Sequence, residues 1–412
     1  MPERAAARRP RDSLLRTRGE HDSGKVGMVE LFFDLVFVFA VTQLSHALQA
    51  DLSADGLART GLLLLGVWWV WINTSWVTNW LDPERIPVRV ALLALMLAGL
   101  GLSVAIPKAF DSRGLLFATA YATMQLGRTL FFLWAVRGEP EHMRRNFQRI
   151  FAWFTVSAAC WIAGGFSTHD LRFAWWAVAL AVESIAPIAY FWVPILGRSR
   201  VEDWDVEGAH LAERCALFII IALGESLLVT GATFAAQTWN VDALAGFTNA
   251  VLGTILMWWI YFDTGASRAT KRIERARTPG REARSAYTYA HAVIVAGVIA
   301  CAVSDEVVLA HPRHAEGMAL AVVLGGPVLY LTGMALFKWL TNDRRAPPLS
   351  HLVGLALLGL LAWPAAQEAI APLWLAVAAN GVLLVVAVWE SLAIRRLVGT
   401  ETILEPAPID DK

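Results

Sequence analysis

The sequence predicts an all-α polytopic integral membrane protein with about 12 transmembrane helices in a 6+6 parallel repeat. Three observations predict it. Of 412 residues, 57% are hydrophobic and 17% charged, with a mean hydropathy of +0.50, whereas water-soluble chains run about 45–50% apolar and about 25% charged. The apolar residues gather into twelve stretches, each near the ~20 residues that a helix needs to cross ~30 Å of hydrocarbon. A Trp-rich segment of the second stretch returns in the eighth. A disordered chain and an ordinary soluble domain are both excluded.

Taken in order, the spans fall near residues 28–49, 58–79, 89–106, 115–136, 148–166, 173–196, 211–236, 243–264, 286–309, 317–338, 350–366 and 371–394. The first follows a basic arm, residues 1–27, but it is long, contains Glu30 and Asp34 and lacks a small-residue cleavage site, so it reads as a retained helix rather than a secretory signal. Residues 28–196 then form a first six-helix repeat, 211–394 a second, and 395–412 a tail. Trp80, Trp134, Trp192, Trp239, Trp339 and Trp389 sit near span ends, as interfacial belts require.

Lys and Arg set the orientation. With the N-terminus cytoplasmic, all but six of the 35 basic residues fall in cytoplasmic segments and their flanks; Arg59, Lys108, Arg113, Arg172 and Arg313 fall outside, and Arg128 lies within a span. An even number of spans keeps both termini cytoplasmic, in a cell membrane. The loop bearing Arg268, Lys271, Arg272, Arg275, Arg277, Arg281 and Arg284 is topogenic and attracts anionic lipid. No aromatic residues interleave those charges to stack on bases, which argues against a nucleic-acid partner. The net charge of zero implies no charged partner class.

Val67-Trp68-Trp69-Val70-Trp71-Ile72-Asn73-Thr74 on the second span matches Met257-Trp258-Trp259-Ile260-Tyr261-Phe262-Asp263-Thr264 on the eighth. Glu30 and Glu213, each at the start of a span, recur at a similar offset. Six spans per half give both halves the same orientation, and in repeat-built transporters the site lies between halves.

Ionisable groups at membrane depth cost at least ~2.5–3.5 kcal/mol on insertion scales, so each asks for a partner or a role. Glu30 and Asp34 lie four apart on one face of the first span, followed by Thr42, Gln43, Ser45 and His46. Arg128 and Gln125 lie on span four, Glu183 on span six and Glu225 on span seven. Asp34 and Arg128 come out at compatible depths, as an ion pair or a gate. Glu183 and Glu225 come out near the midplane without a base at their depth, so acids outnumber bases there, which suits proton transfer or transient cation binding. Glu30 and Glu213 suit the positive ends of their helices, and Asp305 and Glu306 are expected to be solvated at the outer mouth. Pro187 and Pro194 on span six, and Gly325-Gly326-Pro327 on span ten, mark helix breaks.

Enzyme chemistry is not expected: no zinc-protease, nucleophile-elbow, phosphate-loop or dinucleotide motif occurs. No cofactor is implied. Cys160, Cys215 and Cys301 have no clasp spacing, and His311-Pro312-Arg313-His314 lacks converging carboxylates for a metal.

The stretch from Val29 to Ser45, with Glu30, Phe33, Asp34 and Gln43, resembles the signature first helix of the bacterial low temperature requirement A (LtrA) family. His210-Leu211-Ala212-Glu213-Arg214 through Gly224-Glu225-Ser226 is similar to that family's second diagnostic stretch. The resemblance spans roughly residues 25–395 and implies a polytopic membrane protein linked by name to growth in the cold. Phe33-Asp34 with Phe37 and Ala40 also resembles the F-S-D-x-x-F-A element of potassium channels built from six-span repeats, with Phe33 in place of Ser and a different spacing to Ala40. From the repeat and the surplus of buried acids, the reading is a channel or secondary transporter for a cation, proton or small solute; the alternative is a non-transport scaffold or lipid-responsive factor. Homo-oligomerisation is compatible with both.

Overall fold

A computed structural model describes residues 13–16, 25–200, 207–263, 284–341 and 346–404, with side chains to residue 393 in the last segment. Each expected span is occupied by a helix: α1 Met28–Ala50, α2 Ala54–Thr78, α3 Ile86–Ala105, α4 Gly114–Ala135, α5 Glu141–Phe166, α6 His169–Ile188, α7 Gly208–Ala236, α8 Val241–Tyr261, α9 His291–Ala310, α10 Met318–Leu340, α11 Leu349–Ala366 and α12 Pro372–Leu404. Eleven are long and apolar enough to cross a membrane. The helix that falls short is α4, whose apolar run is interrupted by Tyr121, Gln125, Arg128 and three threonines. The chain is a multi-pass all-α membrane protein.

Packing divides the chain into two compact units, Met1–Ile221 with Glu274–Arg284, and Ala222–Ile273 with Ser285–Lys412. The division falls within α7. In the first unit α1 packs on α2 and α3, α3 on α4, α4 on α5 and α5 on α6. Its core is aromatic: Tyr121, Trp161, Phe117 and Trp176 interlock with ring centroids 4.3 to 5.7 Å apart, and such pairs contribute ~0.5–1.5 kcal/mol each beyond area burial. Trp176 also donates its indole N–H to the carbonyl of Trp161 at 3.0 Å, which leaves no polar atom of Trp176 wanting in an apolar setting.

The sixth span ends earlier than the sequence predicts. Pro187 has no N–H to give the carbonyl of Glu183, and α6 stops at Ile188 rather than near 196. The chain then turns through Tyr190, Phe191 and Ile195 at positive φ, and Val193 and Gly197 exchange backbone hydrogen bonds. Arg149 of α5 locks the turn by donating from Nε and Nη2 to the carbonyl of Leu196 at 2.9 and 2.6 Å.

In the second unit α9 packs on α10, α10 on α11, α11 on α12 and α12 on α8. The α9–α10 contact is backbone to backbone. A Cβ on Gly297 would lie 2.4 Å from the backbone N of Tyr330, and one on Gly333 2.7 Å from that of Ile294. Gly326 meets the backbone of Cys301 in the same way. Helices in lipid gain no hydrophobic term from association, so small residues that admit close dispersion contact replace it.

Candidate functional site

The most concentrated chemistry of the first unit lies at the N-terminal ends of α1 and α7. One helical turn separates Glu30 from Asp34 on α1, and one turn separates His210 from Arg214 on α7, so each helix presents a two-residue face. Arg214 forks across the acidic face: Nη1 donates to Glu30 Oε1 at 3.0 Å and Nη2 to Asp34 Oδ1 at 2.5 Å. All three side chains are fully buried. His210 Nε2 lies 3.0 Å from Glu30 Oε1, while Asn79 Nδ2 meets His210 Nδ1 at 3.3 Å. Arg16 Nη2 also lies 3.1 Å from His210 Nε2, so the ring sits between the Glu30 carboxylate, the Arg16 guanidinium and the Asn79 amide.

Three neighbours complete the cluster. Arg16, from the basic arm, donates to Glu30 Oε2 at 2.6 Å and to the carbonyls of Thr78 and Leu81 at 2.9 and 3.1 Å. Glu30 Oε2 also accepts the N–H of Gly27 at 2.8 Å, so one carboxylate caps α1 and anchors two arginines. Trp71 Nε1 donates to Asp34 Oδ1 at 2.7 Å, and its ring lies 4.4 Å from that of Phe218, centroid to centroid. Asn79 accepts the N–H of Glu207 and donates to its carbonyl, fixing the entry to α7. The two carboxylates thus meet two guanidiniums, and Asp34 Oδ2 and Arg214 Nε are left without a hydrogen bond among the described residues.

A second polar nest joins α4, α5 and α6. Glu183 accepts from Tyr121 Oη at 2.7 Å, from Gln125 Nε2 at 2.7 Å and from Ser157 Oγ at 2.5 Å. Gln125 turns its other end to Arg128, whose Nη2 donates to Gln125 Oε1. The amide therefore bridges a guanidinium and a carboxylate with its donor and acceptor each facing the matching group. Arg128 also donates to Thr74 Oγ1 at 3.1 Å, and its Nε has no partner among the described residues. Beside it, a cavity of about 220 Å³ opens between α2, α3 and α4, with walls that are largely aliphatic and a rim at the exposed Ala94, Thr123 and Gly127.

The family model for the bacterial low temperature requirement A protein (LtrA) matches residues 25–388. The chain belongs to the LtrA family. It is also 43% identical over 380 residues, covering 91% of both chains, to the uncharacterized protein RA0937 of Rhizobium meliloti (strain 1021). No solved structure matches it. The LtrA match begins just ahead of Glu30 and takes in both helices of the Glu30–Asp34–Arg214 cluster.

Against this LtrA chain's sequence, two expectations need correction. Asp34 pairs with Arg214, not Arg128, because Arg214 lies inside the cluster and not on a solvated flank. Burial also reaches beyond the groups singled out by depth: Arg214, Arg149, Arg172 and Lys338, all counted as charges outside the spans or on their flanks, are buried. Lys338 pairs with Glu390 and donates to the carbonyl of Ile260 at 3.1 Å, while Ser350 reaches Glu390 at 3.3 Å.

The other predicted residues scatter. Phe33 is buried against Phe37. Gln43 is half-buried, and Glu213 is exposed and accepts the N–H of Val26 at 3.2 Å. Glu225 is half-buried on the part of α7 that belongs to the second unit. Asp263 accepts from Ser391 at 3.0 Å. The two Trp-rich segments differ in setting: Trp68 and Trp71 are buried, whereas Trp258 and Trp259 are exposed. Of the basic loop only Arg284 lies within the described residues, and it donates to the carbonyl of Pro187 at 2.8 Å. His210, Arg16 and Trp71 were not among the expected site residues: His210 and Trp71 entered only as parts of motifs, and Arg16 only as part of the basic arm. The signal for the first was available: His210 and Arg214 repeat the four-residue spacing of Glu30 and Asp34 with basic side chains in place of acidic ones.

Proposed function

We propose that the protein is a channel or secondary carrier of the bacterial plasma membrane for a cation, proton or small solute. The observation that carries this reading is the buried Glu30–Asp34–Arg214 cluster, in which Asp34 keeps one carboxylate oxygen free of hydrogen bonds among the described residues. Packing glue alone does not require two carboxylates and two guanidiniums in one spot, since ionisable groups in hydrocarbon face a bundle interior or a solvated path. The pair Asp34–Arg214 is the gating element. Both termini are cytoplasmic, the halves form a parallel 6+6 repeat, and anionic lipid sits at the cytoplasmic face. The protein is not an enzyme.

Proteoliposomes test it directly. Wild-type protein should raise proton or monovalent-cation flux over empty vesicles, and Asp34→Asn and Arg214→Gln should each change that flux at least ten-fold. Equal flux in wild type, variants and empty vesicles removes the reading. A reporter fused after residue 412 tests the C-terminus.

A second reading, a lipid-responsive factor without transport, draws on the lateral cavity at Arg128. Its signature is stability that follows lipid composition, with no flux.

A further inference from the structure

The second unit contains a small polar cavity that the cluster on α1 and α7 does not share. It is about 20 Å³, room for one water-sized body, and its walls include Asn249 and Gly253 of α8, Cys301, Ser304 and Asp305 of α9, Val323 and Pro327 of α10 and Asn380 of α12. The helix ends place it. Asp242 of α8 pairs with Arg313 at 2.5 Å, and the N–H of Leu373 donates to the carbonyl of Pro312 at 3.1 Å, so α8, α10 and α12 begin on the side where α9 ends. At about 1.5 Å per residue the lining lies ~8–18 Å in from that side.

We propose that this cavity binds one desolvated monovalent cation of sodium size. Its polar lining is rich in oxygen acceptors. Asp305 makes no hydrogen bond or ion pair among the described residues, although a carboxylate at this depth needs a counter-charge. Asn249 is only 8% exposed, and its side chain likewise makes no hydrogen bond among them. Asn380 is already oriented: its Nδ2 donates to the backbone carbonyl of Asn249 at 2.8 Å, which leaves Oδ1 to serve as a ligand. That side chain crosses Gly253 so closely that a Cβ there would lie 2.9 Å from Oδ1. Pro327 adds a main-chain ligand, since it has no N–H to give the carbonyl of Val323. Ser304 supplies a hydroxyl.

The charge count selects the ion. Asp305 is the one carboxylate among the lining residues and balances one positive charge, and the hard oxygen ligands, which outnumber the single Cys301 thiol, suit an alkali cation rather than a thiolate- or imidazole-seeking metal. Among the described residues no three His, Cys, Asp or Glu side chains gather to hold a metal ion. Asp305 was expected at a solvated mouth; it faces this cavity instead, and Glu306 beside it is buried.

The test is thermal unfolding of the full chain in nanodiscs, with sodium replaced by choline at constant ionic strength. Binding to the folded state raises the midpoint with ligand concentration, so the wild type should show a saturable sodium-dependent rise. Asp305→Asn should abolish it, Asn249→Ala should move its half-point at least ten-fold upward in sodium, and the exposed Glu316→Gln should leave it unchanged. A midpoint indifferent to sodium in the wild type, or a full response in both Asp305→Asn and Asn249→Ala, overturns the proposal. Because this reads binding and not flux, a positive result stands even if the proteoliposomes are inert.

Discussion

Arg214 Nη2 meets Asp34 Oδ1 at 2.5 Å with neither side chain exposed to solvent, and the same guanidinium reaches Glu30 a helical turn away. Removing one partner of a buried pair strands the other charge, which costs ~3–5 kcal/mol. Arg214→Gln should therefore be strongly destabilising, because it strands two carboxylates. Asp34→Asn should cost less, since Glu30 still holds Arg214. The double variant Asp34→Asn with Arg214→Gln should be more stable than the sum of the single losses predicts. Thermal unfolding of all three in one detergent measures the coupling; strict additivity would show that the contact contributes nothing.

The nest around Glu183 gives a graded series. Its three donors are neutral side chains, Tyr121, Gln125 and Ser157, and each can be deleted with little change of shape. Losing one donor to a buried charged group costs ~1–3 kcal/mol. Tyr121→Phe and Ser157→Ala should each fall in that range. Glu183→Gln keeps one acceptor oxygen, which serves either Tyr121 and Gln125 together or Ser157, and should cost less than Glu183→Leu, which orphans all three. Equal midpoints for Glu183→Gln and Glu183→Leu would show that the donors do not depend on the carboxylate.

The fold was legible because lipid makes it so: a span must be a helix of about 20 apolar residues, and that rule found all twelve, including α4 despite its Gln125 and Arg128. The partners within the site were less legible. Glu30 and Asp34 stood out by charge, but Arg214 entered only through the family motif and was counted as a flanking charge, since hydropathy registers depth and not which neighbour a long side chain reaches. Arg16 was read only as part of the basic arm; its placement depends on Leu14 and Arg16 pairing with Asp82 and Trp80 through the backbone, which no local pattern announces. Trp71 was seen as repeat and not as hydrogen-bond donor, because aromatic residues at helical spacing look alike whether they pack or donate.

Lys338 extends the same lesson to the second unit. It lies on the last turn of α10, where a lysine suits the negative helix end, yet it is buried against Glu390. Lys338→Met should destabilise by ~3–5 kcal/mol, and Lys338→Met with Glu390→Gln should recover part of that loss, since Ser350 can still reach the amide oxygen. Differential scanning of the two variants decides it: no recovery in the double variant would make Lys338 a packing residue.

Glycines separate close approach from helix entropy. Gly297 and Gly333 face backbone atoms of the opposing helix at 2.4 and 2.7 Å from an added Cβ, whereas Gly61 of α2 faces nothing within 4 Å. A helical glycine loses more chain entropy on ordering than alanine, by ~0.5–1 kcal/mol. Gly61→Ala should therefore raise stability by up to about that amount. Gly297→Ala gains the same entropy but must push α9 from α10, and overpacking of this kind costs ~1–3 kcal/mol, so the sign reverses. Opposite shifts in unfolding midpoint for one chemical change, read side by side, test the close backbone contact between α9 and α10.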